Sequence, residues 1–220
     1  MVAKGMLMGA KATREQIISA ADQLFYRQGF DHTSFADIAA VVKISRGNFY
    51  YHFRSKDEIL SAVIDRRISN AKVLLGEWQQ GEKNPVKRIG KHIDILLDNK
   101  GDIKLYGCPD GTLANELAKL KHSLANEANR IFTLYIDWLA VQFILLGHEK
   151  QAEQMARHLL ARIQGVAIIA MVTRDDDFVR RETKQMRNGV KTLSEVKNYR
   201  LKTKYTSGGK RLHKFPTKFS

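Results

Sequence analysis

The chain has 220 residues, 44% of them apolar and 27% charged, with a formal net charge of +14 and one cysteine. That length can bury a sizeable core, the lone Cys108 excludes an intramolecular disulfide and any cysteine-clustered zinc site, and the charge suggests a polyanionic partner. Seven Lys or Arg and no acid fall within 200–220, so the body without that tail keeps an excess of +7.

Few prolines, abundant Leu, Ala, Lys, Arg, Glu and Gln, and no sustained apolar/polar alternation make the expected fold class all-α. Residues 1–12 read as a flexible arm. Thr13-Arg14-Glu15-Gln16 has capping-box spacing, and the helix after it places Ile17, Ile18, Ala21, Leu24 and Phe25 on one face before stopping at Gly29. Ser34 with Asp37 starts a second helix that buries Phe35, Ile38 and Ala39. Ser45 starts a third, read as a rod of about three turns. Ser55 with Glu58 opens a fourth, from Lys56 to about Gln79.

Beyond a break at Gly81–Pro85, residues 86–97 form a helix with Ile89, Ile93, Leu96 and Leu97 inward. Asn99–Gly101 and Gly107–Gly111 read as punctuation. Further helices are expected over 112–120, 122–146, 149–173 and 175–199. Gly165 to Val172 is apolar all round and needs cover on more than one side, which suggests a partner subunit. The basic tail, 200–220, has no apolar period and reads as disordered, an unrelated extension or an added phosphate-binding arm.

The longest unbroken apolar run, Val166–Val172, is too short to span a bilayer, and Thr133, Asp137 and Gln142 interrupt 131–146. With no signal-peptide pattern at the N-terminus, a cytoplasmic protein without membrane contact is expected. The histidines, His148 and His158 among them, lack metal-ligand spacing. Neither a nucleophile elbow nor a phosphate-binding glycine loop is present, so no cofactor, metal or enzymatic activity is expected.

Chemistry concentrates between Thr33 and Arg54. Two short helices flank a tight turn there, and the second crowds Arg46, Asn48, Tyr50, Tyr51 and His52 onto its exposed side. Arg, Asn and tyrosine hydroxyls donate to base edges and phosphates, so this face suits a DNA groove. The bland alternatives are a solvated face for Arg46 and Asn48, and core aromatics for some of the tyrosines and His52. Phe49 and Phe53, one helical turn apart, are core. Trp78, Tyr106, Phe132, Tyr135, Trp138 and Phe143 either line an apolar ligand cavity or fill plain core. Cys108 sits at a helix start, where exposed amides lower a thiol's pKa; it is either a sensing residue in that pocket or a small buried one.

Residues 13–60 resemble the N-terminal domain of the TetR family of transcriptional regulators. The match is carried by Gly29-Phe30, Thr33-Ser34, Asp37-Ile38-Ala39, Ser45-Arg46-Gly47, Phe49-Tyr50, His52-Phe53 and Ser55-Lys56. Residues 61–199 are similar to a family ligand-binding and dimerisation domain in helix order and length. The resemblance implies a homodimer, paired through the 149–173 and 175–199 helices, that represses transcription from a near-palindromic, double-stranded operator until a small molecule binds. It implies that Thr33 or Ser34 caps the second helix and touches phosphate. Ser45 would cap the recognition helix, Arg46 and Asn48 reach base edges, and Gly47 permit close approach. Tyr50, His52 and Lys56 would hold the backbone, with Tyr51 a further contact. Two departures stand out: Lys43 occupies the turn where glycine is usual, and Ala36 replaces a polar residue on the second helix. A left-handed non-glycine residue costs on the order of 1 kcal/mol, which a Lys43–phosphate contact could offset. The rival readings are a DNA-binding regulator of this fold without an effector, and a helical protein that does not bind DNA.

Overall fold

The computed structural model describes residues 2–207, with side chains over 11–195, and every regular element among them is helical. In chain order these are α1 (Val2–Gln28), α2 (Phe35–Val42), α3 (Arg46–His52), α4 (Lys56–Gly81), α5 (Pro85–Asp98), α6 (Lys100–Tyr106), α7 (Pro109–Lys119), α8 (Ala125–Leu145), a 3-10 turn (Glu149–Gln151), α9 (Ala152–Thr173) and α10 (Asp176–Ser207). The all-α class expected from composition is the class found.

The starts of α2, α3 and α4 follow from side chains that satisfy free amides. Ser34 Oγ accepts from the Asp37 amide at 3.2 Å, and the Asp37 carboxylate accepts from the Ser34 amide at 2.8 Å, a closed capping box. Ser45 and Ser55 accept in the same way from the Asn48 and Glu58 amides. At the far end of α4, the buried Arg88 guanidinium donates to the carbonyls of Gln79 and Glu82, orphan acceptors that the helix itself leaves unpaired.

Three expectations are corrected. Thr13 does not start a helix, because α1 begins at Val2; Ala, Lys, Met and Leu dominate 2–12, and its two glycines lower helix propensity without interrupting the ladder. The stretch read as punctuation after Asn99 contains α6, and Pro109 rather than Thr112 opens α7, since proline at the first helical position gives up an amide that lacks a partner anyway. Helix α10 passes Tyr199 and ends at Ser207, ahead of the Gly208-Gly209 breaker, so 200–207 is helical. The remainder of the basic tail, 208–220, lies outside the described residues.

Two apolar cores organise the chain. The first joins Ile17, Ala21 and Phe25 of α1 to Ile38, Phe49, Phe53, Ile59, Leu60 and Val63, and also takes in Leu113 and Leu117 of α7 and Ile131 of α8. The second packs Ile89, Ile93 and Leu96 of α5 and Leu139 and Phe143 of α8 against α9 and α10. Phe132 and Tyr135 touch both. A boundary drawn at residue 60 therefore cuts through continuous packing, because α4 and α7 belong to the N-terminal head as much as to the C-terminal helices.

The 149–173 segment is long and apolar enough by composition to cross a membrane. Here it forms the 3-10 turn and α9, whose Val166, Ala167 and Ala170 are buried against neighbouring helices while Ile168, Ile169 and Val172 stay exposed.

Candidate nucleic-acid interface and ligand cavity

Helices α2 and α3 meet across a turn in which Lys43 adopts left-handed backbone angles (φ 58°, ψ 43°), the conformation expected from its place in the turn. Its amide donates to the Ala39 carbonyl and closes α2. Seven residues long, α3 spans about 10 Å, two turns rather than three. Phe49 and Phe53 are almost completely buried and anchor it, with Phe35 against Phe49 at 5.0 Å between ring centroids.

With that face pinned, Arg46, Gly47, Asn48, Tyr50 and Tyr51 all point outward. Tyr51 is 78% exposed, while Tyr50, 51% exposed, rests edge-on against Phe35. His52 is half-buried beside Tyr51. A Cβ built on Gly47 would meet no atom within 4 Å, so nothing inside the protein requires glycine there.

Two residues expected at phosphates are committed elsewhere. Thr33 is 1% exposed, and its hydroxyl donates to the Gly29 carbonyl at 2.6 Å, which closes the turn between α1 and α2. The Lys56 ammonium donates to the Phe30 carbonyl at 3.0 Å and lies 4.3 Å from the Phe30 ring centre, bracing the same turn from α4. Ser34 caps α2 and remains exposed.

A second site lies behind the head. A cavity of about 170 Å³ opens among α5, α6, α7, α8 and α9, lined by His92, Leu96, Ile103, Tyr135, Ile163 and Gln164 among others, and reaching Tyr26 of α1. Of the expected pocket residues, Cys108 and Tyr135 line it. Trp78 and Trp138 instead pack against His92, edge-on at 6.3 Å and tilted at 6.1 Å, forming the aromatic packing behind it. Tyr106 packs edge-on against Tyr26, Phe132 bridges the two cores, and Phe143 belongs to the second core. Helical spacing marks these residues as inward-facing but does not separate wall from filler.

Beside the cavity, the backbone at Gly107 requires glycine. Gly107 has φ +79°, and a Cβ there would press on Thr112 and Met171; a Cβ on Gly111 would collide with Gln164 of α9. These contacts hold the start of α7 close against α9. Burial pushes the Cys108 thiol up, and Gln164 Nε2 donates to its sulfur at 3.4 Å. The thiolate expected from a helix start is therefore disfavoured, since desolvation outweighs the nearby amides.

Several residues that sequence reading passed over join this cavity to the head. Arg67 of α4 donates to Asp22 of α1 at 2.8 Å and to the Pro109 carbonyl at 2.6 Å, and faces Asp110 at 3.4 Å. Tyr135 donates to Asp110 from the cavity side at 3.3 Å. Burial raises the Asp110 carboxyl against the pull of Arg67, and raises both the Tyr26 and Tyr135 phenols, which remain neutral donors. Tyr26 donates to the Gly107 carbonyl at 2.7 Å, and the Glu116 carboxylate accepts from the Phe30 and Asp31 amides. The pairings span 25 to 86 residues, so no local pattern announces them.

His92 is fully enclosed, its Nδ1 has no hydrogen-bond partner, and desolvation lowers its pKa to about 4. The imidazole is neutral near pH 7.

A family model described as bacterial regulatory proteins, tetR family, matches residues 17–63. An HTH-type transcriptional regulator in the lacX 3′ region of Lactococcus lactis subsp. lactis is 31% identical over 167 residues, 74% of this chain and 85% of that protein. The HTH-type transcriptional repressor BepR of Brucella suis biovar 1 (strain 1330) is 25% identical over 169 residues, covering 74% and 78%. Among solved structures, a TetR transcriptional regulator from Legionella pneumophila superposes with a TM-score of 0.70 at 24% identity, over 81% of this chain and 95% of that one. Sequence relatives and helical architecture thus agree over most of the chain, which belongs to the TetR family of DNA-binding transcriptional regulators.

Proposed function

We propose that the protein is a homodimeric repressor whose α3 helices enter successive major grooves of a near-palindromic operator, and that a small molecule in the α5–α9 cavity releases it. The observation that carries the reading is the two-sided character of α3: Phe49 and Phe53 lock one face into the core, while Arg46, Asn48, Tyr50 and Tyr51 are left free on the other. In this reading Arg46 and Asn48 read base edges, and Gly47 lets the backbone approach closely. Lys43, Ser34, Ser45, Tyr50, Tyr51 and His52 contact the sugar–phosphate frame, the part of the interface that sets affinity and salt dependence.

Dimerisation is supported by the apolar side chains left uncovered on α9, namely Ile168, Ile169 and Val172. Pairing through α9 and α10 would bury them and fix the separation of the two α3 helices. Release by ligand is supported by the Arg67 bridge and the Tyr26–Gly107 and Glu116 bonds, through which a change at the start of α7 would move α1 and α4 together. A ligand shifts the equilibrium only if it binds the released conformation better. The repressor assignment follows the Brucella relative, a transcriptional repressor, and the setting expected for such a regulator is the cytoplasm.

The test is a footprint and gel shift on the DNA upstream of the coding region, comparing the wild type with Arg46→Ala/Asn48→Ala. Loss of the protected site with retained weak, salt-sensitive binding is the expected result. An unchanged footprint in the double variant would overturn the assignment of α3.

A further inference from the structure

We infer that the cavity takes a neutral, single-ring aromatic molecule bearing one hydroxyl group, and that His92 is the side chain that selects it. This rests on the cavity being the effector site.

Size comes first. At about 170 Å³ the space is close to the roughly 150 Å³ of an apolar protein cavity that accommodates benzene. It falls well below the roughly 300–1,000 Å³ typical of drug-sized sites. Ile95, Leu96, Ile103, Leu160, Ile163 and Ala167 supply aliphatic walls.

Charge comes next. The acids on the lining are Asp102, exposed at the rim, and Asp110, which is held by Arg67 and Tyr135. Arg67 is itself engaged by Asp22 and the Pro109 carbonyl, so among the described residues at the cavity no free cation waits for an anionic ligand. Nor, among the described lining residues, does an unpaired buried carboxylate wait for a cationic one. A charged occupant would lose its hydration without compensation.

Hydrogen bonding then selects the polar group. Tyr26 donates to Gly107, Tyr135 to Asp110, the Gln164 amide to Cys108, and the Asn99 amide to the Ile95 carbonyl. His92 alone among these lining side chains is enclosed with an orphaned Nδ1. A neutral imidazole presents one donor and one acceptor nitrogen, and a phenolic hydroxyl both donates and accepts, so it satisfies either tautomer.

The experiment uses the full-length protein with phenol, toluene and benzoate as probes, followed by calorimetry and by the ring-nitrogen resonances of His92. Phenol is expected to bind about tenfold more tightly than toluene, the worth of one hydrogen bond to an otherwise unpaired buried group. Benzoate should bind at least tenfold more weakly than phenol. Only phenol should displace the His92 nitrogen signals, and His92→Leu should equalise phenol and toluene. Should His92→Leu fail to fold, the nitrogen shifts in the wild type decide the matter. Benzoate binding as tightly as phenol, or phenol saturation with unmoved His92 signals, overturns the inference. Operator release by a two-ring compound, with no single-ring probe bound, overturns it and leaves the effector reading standing. An operator complex that resists a fragment library of all charge types overturns both.

Discussion

His92 offers a sharp test of how the second core is built. The ring sits fully enclosed among Trp78, Tyr135 and Trp138, and no carboxylate balances it, so desolvation alone lowers its pKa from 6.5 to about 4. In the unfolded chain the same group titrates near 6.5. Below that value the unfolded state takes up a proton that the folded state refuses, so folding stability falls with pH between about 6.5 and 4. At 1.36 kcal/mol per pKa unit, the shift corresponds to roughly 3 kcal/mol present at pH 7 and lost by about pH 4. His92→Leu removes the titrating group and keeps an apolar side chain in its place. Urea unfolding of both proteins at pH 7 and at pH 4.5 isolates the effect, because every carboxylate is common to the two. The wild type is expected to lose more than 2 kcal/mol beyond what the variant loses. Parallel losses would mean that the ring is hydrated or paired in solution, and the proposed role of His92 in ligand selection would lose its basis.

The head and its links to the cavity can be tested separately. Lys43→Gly relieves the left-handed strain and is expected to raise stability by about 0.5–1 kcal/mol while weakening operator binding and flattening its salt dependence; equal affinity and slope would remove Lys43 from the phosphate contacts. Phe53→Ala empties a fully buried site beneath α3 and is expected to cost about 3–5 kcal/mol in chemical denaturation, with less than about 1 kcal/mol refuting the anchoring role. Arg67→Met leaves Asp110 buried beside Tyr135 without its cation; a loss of about 3–5 kcal/mol is expected, together with operator binding that no longer responds to effector, and an unaffected response would refute the coupling. Iodoacetamide at pH 7.5 should alkylate Cys108 more slowly than a free cysteine, given its raised pKa; faster labelling would restore the thiolate.

Much of the DNA-binding head was legible because its signals are local. Ser34 with Asp37, Ser45, and Ser55 with Glu58 each satisfy amides three residues away, and Phe49 and Phe53 share a helical face, so starts, stops and inward positions can be read within one or two turns of chain. The same logic fails at Thr13, where a capping pattern lies inside a longer helix, and at α6, where Gly101 sits within the first turn of a helix and does not break it. Thr33 and Lys56 occupy the expected positions, but their polar atoms turn inward to the Gly29 and Phe30 carbonyls, a choice set by a turn that only the folded head creates.

The chain of residues by itself therefore determined the helical class, the turn between α2 and α3, and the identity of the groups that α3 offers outward. The tertiary structure decided which aromatic residues enclose space and which merely fill it. It also decided that Cys108 would be a half-buried thiol with a raised pKa and His92 a neutral ring, and that Arg67 would join Asp22 to Asp110 across 88 residues of sequence. The division has one physical cause. Caps and helical faces arise from neighbours along the backbone, whereas desolvation, cavity volume and long-range ion pairing exist only once distant helices have packed.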